Sequence, residues 1–382
     1  MKILMLNYEF PPIGGGGGQA HLAILRQYAG QNALVADVVT SSPGVGLSAK
    51  KLSDNVTIYK VGLHKKDLHY WSKIEVVRWI AEARWTYRRL IEENQYDLVH
   101  AFFGLPTGWL CYRTAERLPY IISLRGSDVP GEHARLQLEY KILGPLLKRI
   151  WTRASGLVAC SEGLKKRALE FLPTVNIDVI NNGIELDRFH PAEHNELSKA
   201  LKLVTVGRLS GTKRVEMLIE AVEILSTKGR SVRLTIAGGG GMFERLQRLI
   251  EQKRLSNIIN LTGRIETEQM PDIYRQHNIF VSASMQEGMS NAMLEAMASG
   301  LPIVTTRCEG VDELIVDNGV VVKGDTAEAL AEAINKLAEN QQDYKAMCAA
   351  ARRRAEKFGW DKVAEQYLQL YGRVCGHNKR NA

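Results

Sequence analysis

The sequence predicts an α/β protein built from two doubly wound domains, each a mainly parallel sheet with helices on both faces. Three observations predict it. Short apolar runs alternate with stretches of helical spacing along the chain. Glycine clusters sit between a run and the next helical stretch in both halves, and the alternation restarts near residue 200. Continuous apolar runs, rather than strict apolar/polar alternation, are what strands covered on both faces require.

In order, "KILMLNYEF" reads as the first strand, "PPIGGGGGQA" as a glycine loop and "HLAILRQYAGQ" as a helix. Strands follow at 33–40, 55–62, 96–103, 119–128, 156–161 and 177–183. After "NNGIELDRFHPAEHNELSKA" the pattern resumes with a strand at 201–209, a helix at 214–229, "VRLTIAGGGG" as strand plus glycine turn, and a further helix. "IINLTGRI", "NIFVSAS", "LPIVTTR" and "NGVVVKG" complete the second half as strands. The expected division is 1–188, 189–358, and a terminal segment 359–382. In that segment Trp360, Val363, Tyr367 and Leu370 share one helix face, which would pack on the N-terminal domain, and "CGHNKRNA" reads as a frayed tail. Sheets of this kind bind ligands at the carboxyl ends of their strands, so the expected site is a cleft between the domains.

Composition narrows the function classes. Hydrophobic content of 45% and charged content of 24% are those of a globular protein. Five scattered cysteines, with no CxxC pair or Cys/His cluster, indicate neither zinc nor a disulfide framework and fit a reducing compartment. "MKILMLNYEFPP" is too short an apolar start for a signal peptide, and no apolar run reaches the ~20 residues of a membrane span. A cytoplasmic location is therefore expected, with peripheral contact at the inner face of the membrane as its extension. Residues 1–190 carry 24 basic against 18 acidic side chains and the remainder 26 against 24, so the excess lies in the first half. That excess suits an anionic partner, though no nucleic-acid motif accompanies it.

Two stretches carry chemistry. "GRLSGTKR" (207–214) closes the first strand of the second half and places Arg208 and Lys213 across a turn, where two cations can neutralise a diphosphate leaving group. The bland alternative is a surface turn with solvated charges. "MQEGMSNAMLEAMASGLP" (285–302) sets Glu287 and Glu295 eight positions apart around a helix start capped by Ser290 or Asn291. Amides at Met289, Ser290 and Asn291 would face an anion, and the two carboxylates would accept from sugar and ribose hydroxyls. The alternative makes Glu287 a loop charge and the intervening methionines core.

Together "GRLSGTKR", "LTGRI", "SASMQEGMSNAMLEAMASGLPIVTT" and "NNGIELDRFHP" resemble the retaining, nucleotide-sugar-dependent glycosyltransferases of family 4, which have the GT-B fold of two Rossmann-like domains. The E-x7-E spacing of Glu287 and Glu295 is that family's hallmark. The resemblance implies a hexosyl transfer from a nucleotide diphosphate sugar, UDP- or GDP-linked, to a hydroxyl acceptor: a glycan, a lipid-linked saccharide or a small molecule. It implies that Arg208 and Lys213 hold the diphosphate, Glu287 the transferred sugar and Glu295 the ribose. Gly288, Met289, Ser290 and Asn291 would support the phosphates, and Gly263–Ile265, with Arg264, would lie near the base. Gly238 would lie at a tight turn beside the nucleotide.

The first-half loop is less specific. Gly15, Gly17 and Ala20 fit G-x-G-x-x-A, but five successive glycines satisfy that pattern easily, and Asp37 lies within its strand rather than after it, against a dinucleotide oxidoreductase. In the resembled family the loop, with Gly16 and Gly17, closes over the donor phosphates. "SLRGSD" carries Arg125 where many members have histidine, and Arg125, Asp128 and His100 are the acceptor-side candidates. The basic, aromatic stretch 64–90, with Trp71, Trp79 and Trp85, can lie on an anionic membrane surface or serve as core. No D-x-D occurs, so metal-independent transfer is expected, with no cofactor, and the leaving phosphate would take the acceptor's proton. A nucleotide-sugar epimerase on the same fold, or a non-enzymatic nucleotide-binding module, are the alternatives.

Overall fold

A computed structural model describes residues 1–65, 67–68, 71–131, 137–193, 197 and 200–381; the side chains of residues 137 and 377–381 fall outside it. Of the stretch 64–90, residues 66, 69 and 70 lie outside the described residues. The chain divides into two compact units, Met1–Asn182 joined by Trp360–Ala382, and Gly183–Gly359.

In the first unit the described strands are β1 (Lys2–Asn7), β2 (Val35–Ser42), β3 (Leu47–Ser53), β4 (Val56–Gly62), β5 (Leu98–Phe102), β6 (Tyr120–Leu124), β7 (Gly156–Ala159) and β8 (Ile177–Val179). They form one sheet in the order β3-β4-β2-β1-β5-β6-β7-β8. Every ladder is parallel except β3 with β4. Its helices are α1 (Gly16–Tyr28), α2 (Lys73–Glu93), α3 (Thr107–Tyr112), α4 (Gln137–Arg153) and α5 (Glu162–Phe171). The central strands β1, β5 and β6 are buried almost throughout, as strands covered on both faces must be. α2 starts where the sequence caps it: the Ser72 hydroxyl accepts from the Glu75 amide and the Glu75 carboxylate accepts from the Ser72 amide.

The second unit holds β9 (Leu201–Val206), β10 (Val232–Ala237), β11 (Ile259–Gly263), β12 (Ile279–Ser282), β13 (Ile303–Thr305) and β14 (Gly319–Val321), all parallel in the order β11-β10-β9-β12-β13-β14. Its helices are α6 (Val215–Thr227), α7 (Phe243–Gln252), α8 (Met270–Arg275), α9 (Asn291–Ala298), α10 (Val311–Leu314), α11 (Ala327–Glu339) and α12 (Gln341–Ala355).

The last helix, α13 (Trp360–Asn381), returns to the first unit. Trp360, Val363, Tyr367, Leu370, Tyr371 and Val374 are buried in that unit's core. Each large apolar side chain so buried contributes about 1.5–3 kcal/mol. The stretch expected to fray is helical backbone through Asn381, with Gly372 and Gly376 both inside the helix. Among the described residues no helix is long and apolar enough to cross a membrane.

Candidate active site

The carboxyl ends of β9 and β10 are locked together by glycine. Gly207 and Gly238 both have φ +151°. The Gly207 amide donates to the Ala237 carbonyl at 3.0 Å, and the Leu209 amide to the Gly239 carbonyl at 2.9 Å. A Cβ on Gly238 would collide with the Gly207 carbonyl oxygen, and one on Gly240 with the Leu209 backbone. Gly238 is thus required by a backbone approach within the fold. Its amide donates to the Gly263 carbonyl at 2.8 Å, which brings the start of "RI", Arg264 and Ile265, beside the same edge; Arg264 is exposed there.

Lys213 stands in a single 3-10 turn, Gly211–Lys213, and the residue after it fixes that turn. Arg214, in left-handed backbone at φ +47°, donates to the Ala283 carbonyl at 2.6 Å, to Asp325 at 2.8 Å and to the Thr306 hydroxyl at 3.1 Å. The Lys213 ammonium is ion-paired with Glu287 Oε1, which also accepts from the Ser284 hydroxyl at 3.1 Å. Both charges are largely withdrawn from water, at 24% and 15% side-chain exposure, so their attraction is weakly screened. Arg208 is exposed and has no ion-pair partner among the described residues; with Lys213, Ser282, Ser284, Glu287 and Ser290 it lines one pocket.

Glu287 is held from behind as well. Its amide donates to Glu309 Oε2 at 2.9 Å, and Gly310, at φ +78°, packs so closely that a Cβ there would lie 3.2 Å from the Met289 Cα and 3.3 Å from the Gly288 carbonyl oxygen. Ser290 caps α9 by accepting from the Met293 amide at 3.3 Å, and Asn291 opens the helix. Met289, Met293 and Met297 are buried, so these three are core side chains. One turn into α9, Glu295 accepts from the Tyr274 hydroxyl at 2.8 Å. Burial pushes the Glu295 carboxyl up to about 7, against the opposing effects of that hydrogen bond and of the Arg188 charge.

In the first unit the glycine loop leads into α1. The Gly14 amide donates to the Leu68 carbonyl at 2.7 Å and the Gly15 amide to Glu9 at 3.3 Å. A Cβ on Gly17 would lie 2.8 Å from the Phe103 ring, and one on Gly18 2.8 Å from the Glu9 carbonyl oxygen, while Gly15 has open space. Gly16 is the first residue of α1.

The acceptor-side candidates fare unequally. His100 is a correction: it is fully buried, its two ring nitrogens lie 2.7 Å from the Tyr371 and Ser123 hydroxyls, and its ring stacks on Phe102. Burial holds it well below the ordinary imidazole value, so it stays neutral and fastens α13 to the sheet. Asp128 is buried too, accepting from the amides of Arg125 (2.8 Å), Gly126 (3.1 Å) and Gly104 (2.7 Å), and so ties the loop after β5 to the loop after β6. Arg125 is half-buried over the Phe102 ring and donates to Asn182 at 2.6 Å. Reading the sequence alone missed Ser284, Glu309, Arg214 and Tyr274. Glu309 was within reach, since "CEG" follows a strand at its carboxyl end as "QEG" does.

Comparison with known proteins covers both units. The profile described as Glycosyltransferase Family 4 matches residues 15–188, and the profile described as Glycosyl transferases group 1 matches residues 187–354. An uncharacterized glycosyltransferase of Methanocaldococcus jannaschii is 31% identical over 238 residues, 59% of this chain and 60% of that protein. The D-inositol 3-phosphate glycosyltransferase of Streptomyces scabiei is 27% identical over 321 residues, 75% of this chain and 70% of that protein. Sucrose-phosphate synthase from Thermosynechococcus elongatus superposes with a TM-score of 0.84 at 19% identity, over 98% of this chain and 99% of that one. Anabaena HepE, solved in complex with UDP and glucose, superposes at 0.74 with 18% identity, over 97% and 99% of the two chains.

Proposed function

The chain belongs to the family 4 glycosyltransferases and has the GT-B fold, and from that premise we propose that it transfers a hexosyl group from a nucleotide diphosphate sugar to a hydroxyl acceptor, with retention of configuration and without a divalent ion. The observation that carries the reading is the convergence of Lys213, Arg208 and Glu287 at the carboxyl end of the central strand β9.

Lys213 and Arg208 take the donor diphosphate, and their charge stabilises it as it leaves. Bound donor would share Lys213 with Glu287, whose other hydrogen-bonding capacity accepts from hydroxyls of the transferred sugar. Glu295 accepts from the ribose. In the transfer itself the bond from the sugar's anomeric carbon to the phosphate oxygen breaks. The acceptor oxygen bonds that carbon on the same face, and the acceptor's proton passes to the departing phosphate. The absence of D-x-D supports the metal-free route, since charge neutralisation falls to the two cations. No cofactor takes part.

The donor base is left to experiment, with UDP- and GDP-sugars as the two classes; HepE binds UDP. A lipid-linked acceptor and peripheral contact with an anionic membrane complete the proposal. Their support is the exposed Ile74, Val77 and Trp85 on α2, interleaved with the basic residues Lys73, Arg78, Arg84 and Arg88. The test is a thermal-shift and turnover panel with UDP-, GDP- and ADP-sugars in EDTA. Stabilisation by one nucleotide class that disappears in Arg208→Ala and Glu295→Ala supports the donor site. Product of retained configuration by NMR supports the mechanism. Donor turnover to a new sugar without acceptor would point to an epimerase, and silence across the panel would sink the transferase reading.

A further inference from the structure

A second basic site lies in the first unit, on the outer helix layer. α2 and α3 border a cavity of about 230 Å³ lined by Arg84, Tyr87, Arg88, Trp109, Arg113 and Thr114. Three guanidinium groups from two helices share it, and among the described residues none of the three has an ion-pair partner. Arg84 and Arg88 stand four residues apart on one helix face, where like charges repel. Among the described residues no carboxylate forms an ion pair with them, and Glu93 is paired with Arg89 instead, at 3.9 Å. The floor is rigid, since the Tyr87 hydroxyl and the Thr114 hydroxyl are 2.5 Å apart and Thr114 donates to the Cys111 carbonyl at 3.1 Å. Trp109 supplies a half-buried aromatic wall.

We propose that Arg84, Arg88 and Arg113 form a phosphate-binding site between α2 and α3, separate from the donor site. Planar guanidinium forks match the oxygens of a phosphate. A volume several times the ~30 Å³ share of one water leaves room for the group the phosphate is esterified to. The ligand class is a phosphate mono- or diester, supplied either by a soluble phosphate or by a phospholipid headgroup. The site goes beyond the proposed transfer reaction; with a headgroup as ligand it deepens the membrane contact proposed above, which draws on Arg84 and Arg88 as well.

The test is binding to the full chain in a Lys213→Ala/Arg208→Ala background, which removes both cations of the proposed donor site. One arm uses inorganic phosphate by calorimetry. The other uses sedimentation with phosphatidylglycerol/phosphatidylcholine vesicles against phosphatidylcholine alone. Arg84→Gln with Arg113→Gln is compared with Lys50→Gln and Arg153→Gln, which removes the same charge elsewhere in the unit. The expected result is a loss of about tenfold or more in the first pair, against less than about twofold in the second. Loss confined to inorganic phosphate assigns a soluble ligand, and loss from the anionic vesicles assigns a headgroup. Arg88→Glu, which places a carboxylate at an exposed position of the same cavity, should give the same loss. Equal behaviour of the two double variants in both arms, or no binding in either arm, overturns the site.

Discussion

Tyr274 donates its hydroxyl to Glu295 across 2.8 Å, so the carboxyl proposed for the ribose already has a partner within the fold. Burial lifts that carboxyl from 4.5 to about 7. Between those values the folded chain keeps a proton that the unfolded chain has released. The stability from the neutral carboxyl is therefore present below the lower value and lost as pH rises toward the upper one. Glu295→Gln should raise the melting temperature at about pH 8 and leave it nearly unchanged at about pH 4.5. Donor affinity should rise with pH through about 7, and Tyr274→Phe should move that midpoint upward. Thermal melts and donor titrations across that range measure both.

Lys213→Ala should lower kcat/KM by about 10²–10³-fold, the size expected for one group that stabilises developing charge. Stability should fall by about 1–3 kcal/mol as well, because Glu287, at 15% side-chain exposure, loses its cation. A denaturant melt beside steady-state kinetics separates the two effects. A large fall in stability with intact turnover would refute the assignment.

The glycines at the carboxyl ends of β9 and β10 make a paired prediction. Gly238→Ala should destabilise the second unit by more than about 2 kcal/mol, combining a left-handed backbone with a backbone collision. Gly239→Ala, with nothing near its Cβ, should cost about 1 kcal/mol or less. Equal urea midpoints for the two variants would contradict the packing described.

How much of this was readable beforehand divides along the same lines. The strands β1 and β6 announce themselves, because "ILML" and "YII" are the unbroken apolar runs that burial on both faces demands. β3 does not, since "LSAKKLS" is an exposed edge held only by antiparallel pairing with β4. Arg208, Lys213 and Glu287 line one pocket and lie close to recognisable turns, whereas Glu295 stands inside α9. Tyr274 offered no sequence signal, since it reaches Glu295 from a separate helix, while Glu309 was marked only by the likeness of "CEG" to "QEG". His100 shows the limit most sharply: its fate is decided by Tyr371, 271 positions along the chain.

Glu309 gives a prediction of its own. Glu309→Ala removes the acceptor of the Glu287 amide and should raise the KM for donor several-fold while leaving the melting temperature within a few degrees. Glu309→Gln, which keeps an oxygen acceptor in place, should restore most of the affinity. Failure of the amide to rescue would show that charge, not position, is what Glu309 supplies.

His100 sets an acid limit. Its imidazole stays neutral in the fold while the unfolded chain protonates below the ordinary value of 6.5, so stability is lost as pH falls through that value. His100→Gln should flatten the acid side of the stability profile while lowering stability near neutrality, as followed by melts between about pH 5 and 8.

The chain leaves the first unit after Asn182 and re-enters it at Trp360. During synthesis every residue of the second unit therefore emerges before α13 does. The segment Gly183–Gly359 has its whole sheet available while the earlier-made sheet still lacks the helix that covers Tyr28, His100 and Ile180. Of the two units, the one begun first at the ribosome is the one whose chain is completed last.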